Sequence, residues 1–491
     1  MLSLAAVAQV LLQFVTVGIL ARILNPYDFG VAAAALVMIE LSQSMAQLGM
    51  RPAVVQRFEL SEVDIRSAYT LTVVLSLVLA AAVFLLAGPI AVALNTPAAK
   101  PMLQVLSLVF VIQSQGAVAE GLAARHKQFG LLAARRVTSY LVAYGLVGIT
   151  CALMGLGAWA LVAAKLADAI VTAVLLSIGA PHSRRPLFHR AATRRLSGFG
   201  AGYTVNQIAN TLANQSDYMV VARTLGVVPL GLYSRSYQIM RLPAQLIGNV
   251  VEDVAFPGFS SIQNEPERMA RGFYRALLMM NIVLYLAAAG CVVLAPEIIA
   301  VALGPKWGTA APLLQMFALA IPFRSTQRLA TTISFSTGTN WPIAIRQIIY
   351  FLSVVAGAWF GSAWGLNGVV VGVSMAILIQ TAIQFQLTMR LTGLSMGRLM
   401  AAHLRPVPAA LLFGLPAWGV AVILRHAGTH PAMTLLVASM VGGLALVIGV
   451  ATARQAVLMN EGMELVLMLS RKLPKRFGRP IGAWAGRGLP T

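Results

Sequence analysis

The chain has 491 residues, of which 58% are hydrophobic and 10% charged, and its mean hydropathy is +0.80. Soluble domains carry about a quarter charged residues, so the composition excludes a soluble enzyme or binding module and gives an integral membrane protein. The net charge of +21 calls for no nucleic-acid partner, because much of it falls in loops and a tail that can face anionic lipid.

Fourteen apolar segments of roughly twenty residues follow one another, each long enough to cross about 30 Å of hydrocarbon as a helix. They lie at about 2–21, 29–49, 68–93, 102–124, 137–156 and 158–179, then 199–222, 228–254, 276–303, 311–335, 341–361 and 366–388, then 405–424 and 431–451. The first run lacks a preceding basic region and a small-residue cleavage site, so it is expected to remain as the first helix. The pattern predicts a six-helix lobe over 1–180, a basic cytoplasmic linker over 181–198, a second six-helix lobe over 199–390, two extra transmembrane helices over 391–451 and a basic cytoplasmic tail over 452–491.

The halves echo each other. Ala21-Arg22-Ile23-Leu24 with Phe29-Gly30 returns 201 residues later as Ala222-Arg223-Thr224-Leu225 with Leu230-Gly231. Pro101-Met102-Leu103-Gln104 answers Pro312-Leu313-Leu314-Gln315, and Gly155-Leu156 answers Gly365-Leu366. An even number of spans per copy gives both copies one orientation, hence two parallel six-helix repeats about an axis along the membrane normal, the plan of many transporters. The fold class is therefore all-α, with about 14 transmembrane helices: two repeats plus two C-terminal helices.

The loops orient it. Connections after even-numbered segments, with the tail, hold 25 Lys and Arg, among them Arg184, Arg185, Arg190, Arg194, Arg195, Arg471, Lys472, Lys475, Arg476 and Arg479. The odd-numbered connections hold five: Arg22, Lys100, Arg223, Lys306 and Arg425. The positive-inside rule places the even loops and both termini in the cytoplasm.

Polar groups at membrane depth carry the functional signal. Arg235 and Arg241 lie in the eighth segment beside Gln238 and Gln245, and Arg324 and Arg328 lie four apart on one face of the tenth. Facing lipid, these four would cost on the order of 10 kcal/mol, so they face an interior. The acids Glu40, Glu120, Asp168, Asp217, Glu252 and Asp253 share that depth, and Lys165 with Asp168, three apart, form an expected internal ion pair. One reading makes all these charges interhelical ion pairs that fix the bundle. The other is a basic, water-filled chamber whose guanidinium forks suit phosphate, favoured because the tenth segment has two cations and no acid. Gln113, Gln115, Asn206, Asn210, Asn214 and Gln238 could serve sugars or bond between helices.

Catalysis and metal binding lack support in the sequence. Cys151 and Cys291 sit singly in apolar segments as packing residues, and His426 and His430 are separated by Gly428 just before Pro431, so they do not share a helix face for a metal. A Gly-Lys-Ser/Thr phosphate loop is absent, no metal or cofactor is expected, and energy has to come from a gradient or the substrate. Glu40, near the middle of its segment with no basic residue within a turn, is the first coupling candidate and Asp168 the second.

The stretch Ile19-Leu20-Ala21-Arg22-Ile23-Leu24-Asn25-Pro26-Tyr27-Asp28-Phe29-Gly30, followed by Leu48-Gly49-Met50-Arg51-Pro52-Ala53-Val54-Val55-Gln56-Arg57, resembles the start of the Wzx-type polysaccharide transporters of the multidrug/oligosaccharidyl-lipid/polysaccharide superfamily. Gly231-Leu232-Tyr233-Ser234-Arg235-Ser236-Tyr237-Gln238, Phe256-Pro257 and Gly304-Pro305-Lys306-Trp307 extend the resemblance to about the twelfth segment. It implies a flippase-like fold and a protein of the bacterial inner membrane. The implied activity moves an undecaprenyl-diphosphate-linked oligosaccharide to the periplasmic leaflet by alternating access, for exopolysaccharide, O-antigen or capsule biosynthesis. The implied partners are membrane lipids and a polysaccharide polymerase with its co-polymerase. Ala21-Arg22-Ile23 also resembles the motif whose arginine serves the headgroup in lipid II flippases, which makes Arg22 a substrate-binding candidate. Arg223 follows from the internal repeat, and Arg241, Arg324 and Arg328 from depth. The alternative is a cation-coupled multidrug exporter of the same fold, which would want acids and aromatics in its cavity rather than deep arginines.

Overall fold

The computed structural model describes residues 2–46, 61–262, 265–336 and 340–452. The tail from 453 onward, with its five cations above, and the segment Leu48–Arg57 lie outside the described residues, as do the side chains of Arg190, Arg194, Arg195, Asn206, Glu252 and Asp253.

All regular elements described are helical. In chain order they are α1 (Leu2–Ile23), α2 (Pro26–Ala46), α3 (Glu62–Ala93), α4 (Ala99–Leu106), α5 (Leu108–Arg125), α6 (Phe129–Tyr140), α7 (Ile149–Leu153), α8 (Trp159–Gly179), α9 (Arg190–Leu225), α10 (Val227–Ser261), α11 (Pro266–Ala302), α12 (Ala311–Ala318), α13 (Ile321–Ser336), α14 (Asn340–Gly361), α15 (Gly365–Thr392), α16 (Met396–Leu404), α17 (Val407–His426) and α18 (Pro431–Thr452). A π-helical stretch, Leu141–Gly148, joins α6 to α7. Local chemistry sets several ends. Ser61 caps α3 by accepting from Asp64 N while Asp64 accepts from Ser61 N, both at 3.2 Å, a reciprocal box reinforced by two acids at the positive end of the helix dipole.

Among the described residues, eight stretches are long and apolar enough to span a membrane, and one of them, Pro342–Thr392, contains both α14 and α15. The helices of the expected fourteen segments outside these stretches include α9, α10 and α13, and these carry Asn210, Asn214, Gln215, Arg235, Arg241, Arg324 and Arg328. Large side chains left open elsewhere, such as Leu85, Ile178 and Met440, form the apolar surface expected against lipid. The chain is a multi-pass helical membrane protein.

Two compact units are formed, one from Met1–Arg235, Ala302–Trp307 and Ala344–Val373, the other from Ser236–Val301, Gly308–Ile343 and the remainder from Ser374. In the first, α3 packs on α5 through Ala68, Tyr69, Val118 and Leu122, and α5 on α8 through Ala119, Ala123 and Leu176. Small residues allow its closest crossings. A Cβ on Gly30 of α2 would collide with the Val227 carbonyl, and one on Gly231 of α10 with the Pro26 carbonyl. Gly357 and Gly361 of α14 stand in the same reciprocal relation to Gly372 and Gly368 of α15. Such small-residue faces bring backbones together where lipid gives helices little other reason to associate.

In the second unit α11 kinks at Leu294 (φ −107°, ψ 17°), just before Pro296. Proline has no N–H for the carbonyl four residues back, and Gln315 Nε2 donates to that carbonyl, Val292 O, at 2.9 Å. The next carbonyl, Val293 O, accepts from Arg425 Nη2 at 2.8 Å. Arg425 also grips Glu297 with two bonds, Nε to Oε1 at 2.7 Å and Nη2 to Oε2 at 2.8 Å. The kink is thus satisfied by side chains of α12 and α17, and Leu294 packs beneath it on Ala421 and Ala438 of α17 and α18.

Candidate functional site

In the second unit two of the expected cations meet. Tyr237 and Arg241, four apart on α10, share one helix face, and the Arg241 guanidinium carbon lies 5.8 Å from the Tyr237 ring centre. Arg324, near the start of α13, lies 5.2 Å from the same ring. The ring is itself buried and packs its edge on Phe317 at 5.0 Å. Each cation over a ring gains roughly 0.5–2 kcal/mol, but the two guanidiniums repel each other, and Arg324 is only 6% exposed. Among the described residues, Arg241 Nε and Gln238 Oε1 are buried without a hydrogen-bond partner. A buried guanidinium donor left open beside a second guanidinium is an arrangement that an anion completes. Arg328 sits one turn beyond Arg324, half-buried, with its carbonyl accepting from Thr332 Oγ1 at 3.0 Å.

Other polar groups of α13 are committed to neighbouring helices. Gln327 Nε2 donates to Ile377 O at 2.7 Å and to Thr381 Oγ1 at 3.2 Å. Thr326 Oγ1 lies 3.2 Å from His403 Nε2, whose ring stacks on Phe323 at 4.7 Å.

In the first unit, the Arg235 guanidinium carbon lies 4.6 Å from the centre of the Phe29 ring, and Phe29 meets Trp307 edge to face at 5.3 Å. Trp307 is fully buried and donates Nε1–H to Ala21 O at 2.9 Å. Arg235 is within electrostatic reach of Tyr140, Tyr144 and Tyr218, and Tyr144 is within reach of Asp168 and Glu40. Tyr140 and Tyr144 stack at 4.7 Å on the π-helical stretch and its edge, a helix irregularity often found at functional positions. Thr16 Oγ1 lies 3.0 Å from Tyr140 OH. Arg235, Glu40 and Asp168 thus all lie within electrostatic reach of Tyr144.

Arg22 and Arg223 hold matching places, each exposed in the last turn of its helix. The Arg22 carbonyl accepts from Lys306 Nζ at 3.4 Å, and Arg223 Nη1 donates to Val92 O at 3.4 Å. Glu40 accepts from Gln215 Nε2 of α9.

Lys165 and Asp168 are both half-buried on α8, and no ion pair joins them among the described residues. A lysine N-terminal to its acid is the weaker order for a helix pair. Glu120 pairs with Arg135 at 2.8 Å across α5 and α6. Asp217 is buried and accepts from Tyr233 OH at 2.7 Å and Tyr218 N at 3.0 Å, while Gln115 accepts from Tyr69 OH at 2.6 Å. These three therefore read as structural.

Sequence reasoning missed Tyr237, Tyr144, Gln215 and Gln347. For Tyr237 a signal exists, its spacing of four from Arg241. Tyr144 likewise stands four from its stacking partner Tyr140, whereas Gln215 and Gln347 are separated from Glu40 and Asn210 by long stretches of chain and had no local signature.

Curated relatives agree with the sequence resemblance. The chain is 25% identical over 390 residues to the lipopolysaccharide biosynthesis protein WzxC of Escherichia coli (strain K12), covering 78% of each chain. It is 29% identical over 434 residues to the succinoglycan biosynthesis transport protein ExoT of Rhizobium meliloti (strain 1021), covering 85% of this chain and 84% of that one. Among solved structures the fold is that of the lipid II flippase MurJ in an inward closed conformation, with a TM-score of 0.74 at 14% identity, over 93% of this chain and 99% of the other. The family model described as polysaccharide biosynthesis protein matches residues 19–312, and the chain belongs to that family.

Proposed function

We propose that this protein is a flippase that carries an undecaprenyl-diphosphate-linked oligosaccharide across the bacterial inner membrane by alternating access. The observation that carries the reading is the pair Arg241 and Arg324 on one buried tyrosine, with a buried Arg241 donor still open. A diphosphate accepts hydrogen bonds at several oxygens and suits guanidinium forks better than ammonium groups. Arg22, Arg223, Arg235 and Arg328 complete the set of cations assigned to the headgroup, and the prenyl chain stays in lipid throughout. Two parallel repeats of six helices with two further helices, fourteen spans in all and both termini cytoplasmic, is the architecture that goes with this reading. The crossing of α2 and α10 supports the repeats, because Gly30 against Val227 and Gly231 against Pro26 exchange under the same 201-residue offset.

The energy source follows from the lack of a nucleotide-binding motif. Alternation between states needs something that binds one of them better, and Glu40, followed by Asp168, is the carboxylate assigned to proton coupling.

The experiment is a flipping assay in proteoliposomes containing the full chain and a fluorescent undecaprenyl-diphosphate oligosaccharide, with dithionite quenching the outer leaflet. Protein-dependent movement of that lipid, lost in Arg241→Ala with Arg324→Ala, is expected. A protein that leaves the lipid unmoved but transports organic cations against a proton gradient would instead be the multidrug exporter.

A further inference from the structure

The first unit carries a ladder of amides that the cation site does not use. Asn210 and Asn214 are one turn apart on α9, and Asn214 Nδ2 donates to Asn210 Oδ1 at 2.8 Å and to Asn210 O at 2.6 Å. Gln347 of α14 donates to the same Asn210 Oδ1 at 3.1 Å. Gln215, next along α9, donates to Glu40 of α2. Three helices thus contribute four amides and a carboxylate to a polar strip along α9 made of two groups, Asn210 with Asn214 and Gln347, and Gln215 with Glu40, and Asn210 and Glu40 are exposed.

Elsewhere in the protein deep amides behave differently. Gln315 fills the orphan Val292 carbonyl and Gln327 bonds across to Ile377, both at least partly buried. Those are interhelical fasteners. Asn210 and Glu40 are exposed within the ladder, so they face either lipid, which is costly for a carboxylate and an amide together, or a water-filled space. Side-chain amides with a carboxylate offer both donors and acceptors, the mixture that sugar hydroxyls take up. Arginine is not among them, so the strip has no claim on phosphate.

We infer that Asn210, Asn214, Gln215 and Gln347, with Glu40 at one end, bind the sugar portion of the transported lipid and set which glycan is accepted. This rests on the flippase reading and adds to it a site for uncharged, hydroxyl-rich ligand separate in chemistry from the headgroup cations.

The test compares two probes on the full chain in nanodiscs: bare undecaprenyl diphosphate and the same lipid bearing a synthetic neutral tetrasaccharide. The wild type should bind the glycosylated lipid more tightly by on the order of tenfold, the worth of about two net hydrogen bonds. Asn210→Leu with Gln347→Leu should bring that ratio close to one. Gln347→Leu alone, a substitution at the edge of the strip, should lower the ratio part of the way and guards against a misfolded double variant. A wild type that binds the bare lipid well but gains nothing from the sugar overturns the inference and leaves the flippase reading standing. Unchanged ratios in folded variants overturn it too. A wild type that binds neither lipid removes the flippase reading and this inference together.

Discussion

Gly30 and Gly231 face each other across the crossing of α2 and α10, so close that a methyl group on either would enter the other helix's backbone. The two glycines also stand 201 residues apart, the offset that separates Arg22 from Arg223. Replacing either with alanine should therefore separate the helices, at about 1–3 kcal/mol for overpacking that backbone cannot relieve. Gly30→Ala and Gly231→Ala are expected to lower the midpoint of thermal unfolding in detergent, while Gly419→Ala, where open space surrounds the site, leaves it within error. Equal midpoints for all three would contradict the close crossing.

The cation site makes a different demand. Arg241→Ala and Arg324→Ala should each reduce polymer export at least tenfold, the loss of about one charge-assisted hydrogen bond, with membrane protein levels close to wild type. Arg241→Lys should restore charge without the fork and recover export only in part. If protein and export fall in parallel, the arginines are fastening helices rather than holding a substrate.

How much of this was legible beforehand differs from residue to residue. The 201-residue echo was readable because Ala21-Arg22 and Ala222-Arg223 with their following glycines are local strings, and Arg22 and Arg223 each stand in the last turn of a helix. Depth alone singled out Arg241 and Arg324, since a cation in an apolar segment is costly wherever it goes. Their meeting on Tyr237 was not readable, because α10 and α13 lie far apart in sequence. The same holds for Glu40 and Gln215. Gln315 shows the opposite case: it stood out as part of a repeated string, and its amide serves the carbonyl that Pro296 leaves open.

That proline kink gives a prediction about stability rather than transport. Glu297 is 4% exposed and held by both arms of Arg425, so Arg425→Ala would leave a buried carboxylate uncompensated, at about 3–5 kcal/mol. Gln315→Leu would orphan the Val292 carbonyl at about 1–3 kcal/mol. Both variants should show lower unfolding midpoints, with Arg425→Ala the lower, and the double replacement Arg425→Met with Glu297→Leu should recover much of the loss. A double variant as unstable as Arg425→Ala alone would argue against the pair.

Topology can be decided independently. By the positive-inside rule the excess of Lys and Arg in the even connections predicts a cytoplasmic residue 197, so a fusion after Ser197 should fluoresce with green fluorescent protein and be inactive with alkaline phosphatase. Periplasmic phosphatase activity at that point would overturn the topology and the positive-inside argument together.

The proposed coupling carboxylate is Glu40, which accepts from Gln215 Nε2 and lies within electrostatic reach of Tyr144, as Asp168 does. A proton arriving on Glu40 would remove the charge that Gln215 holds and so loosen one link between α2 and α9. That makes the carboxylate a point where proton binding can favour one state over another. Glu40→Gln keeps the shape and an amide-compatible contact but cannot change charge. In proteoliposomes the variant should bind the lipid-linked oligosaccharide and insert at wild-type levels, yet its flipping rate should no longer rise when a pH gradient is imposed. Asp168→Asn should retain most of that response, since Asp168 ranks second in this reading. A Glu40→Gln protein that accelerates with the gradient as the wild type does would remove Glu40 from the coupling step and leave its contact with Gln215 as a helix fastener.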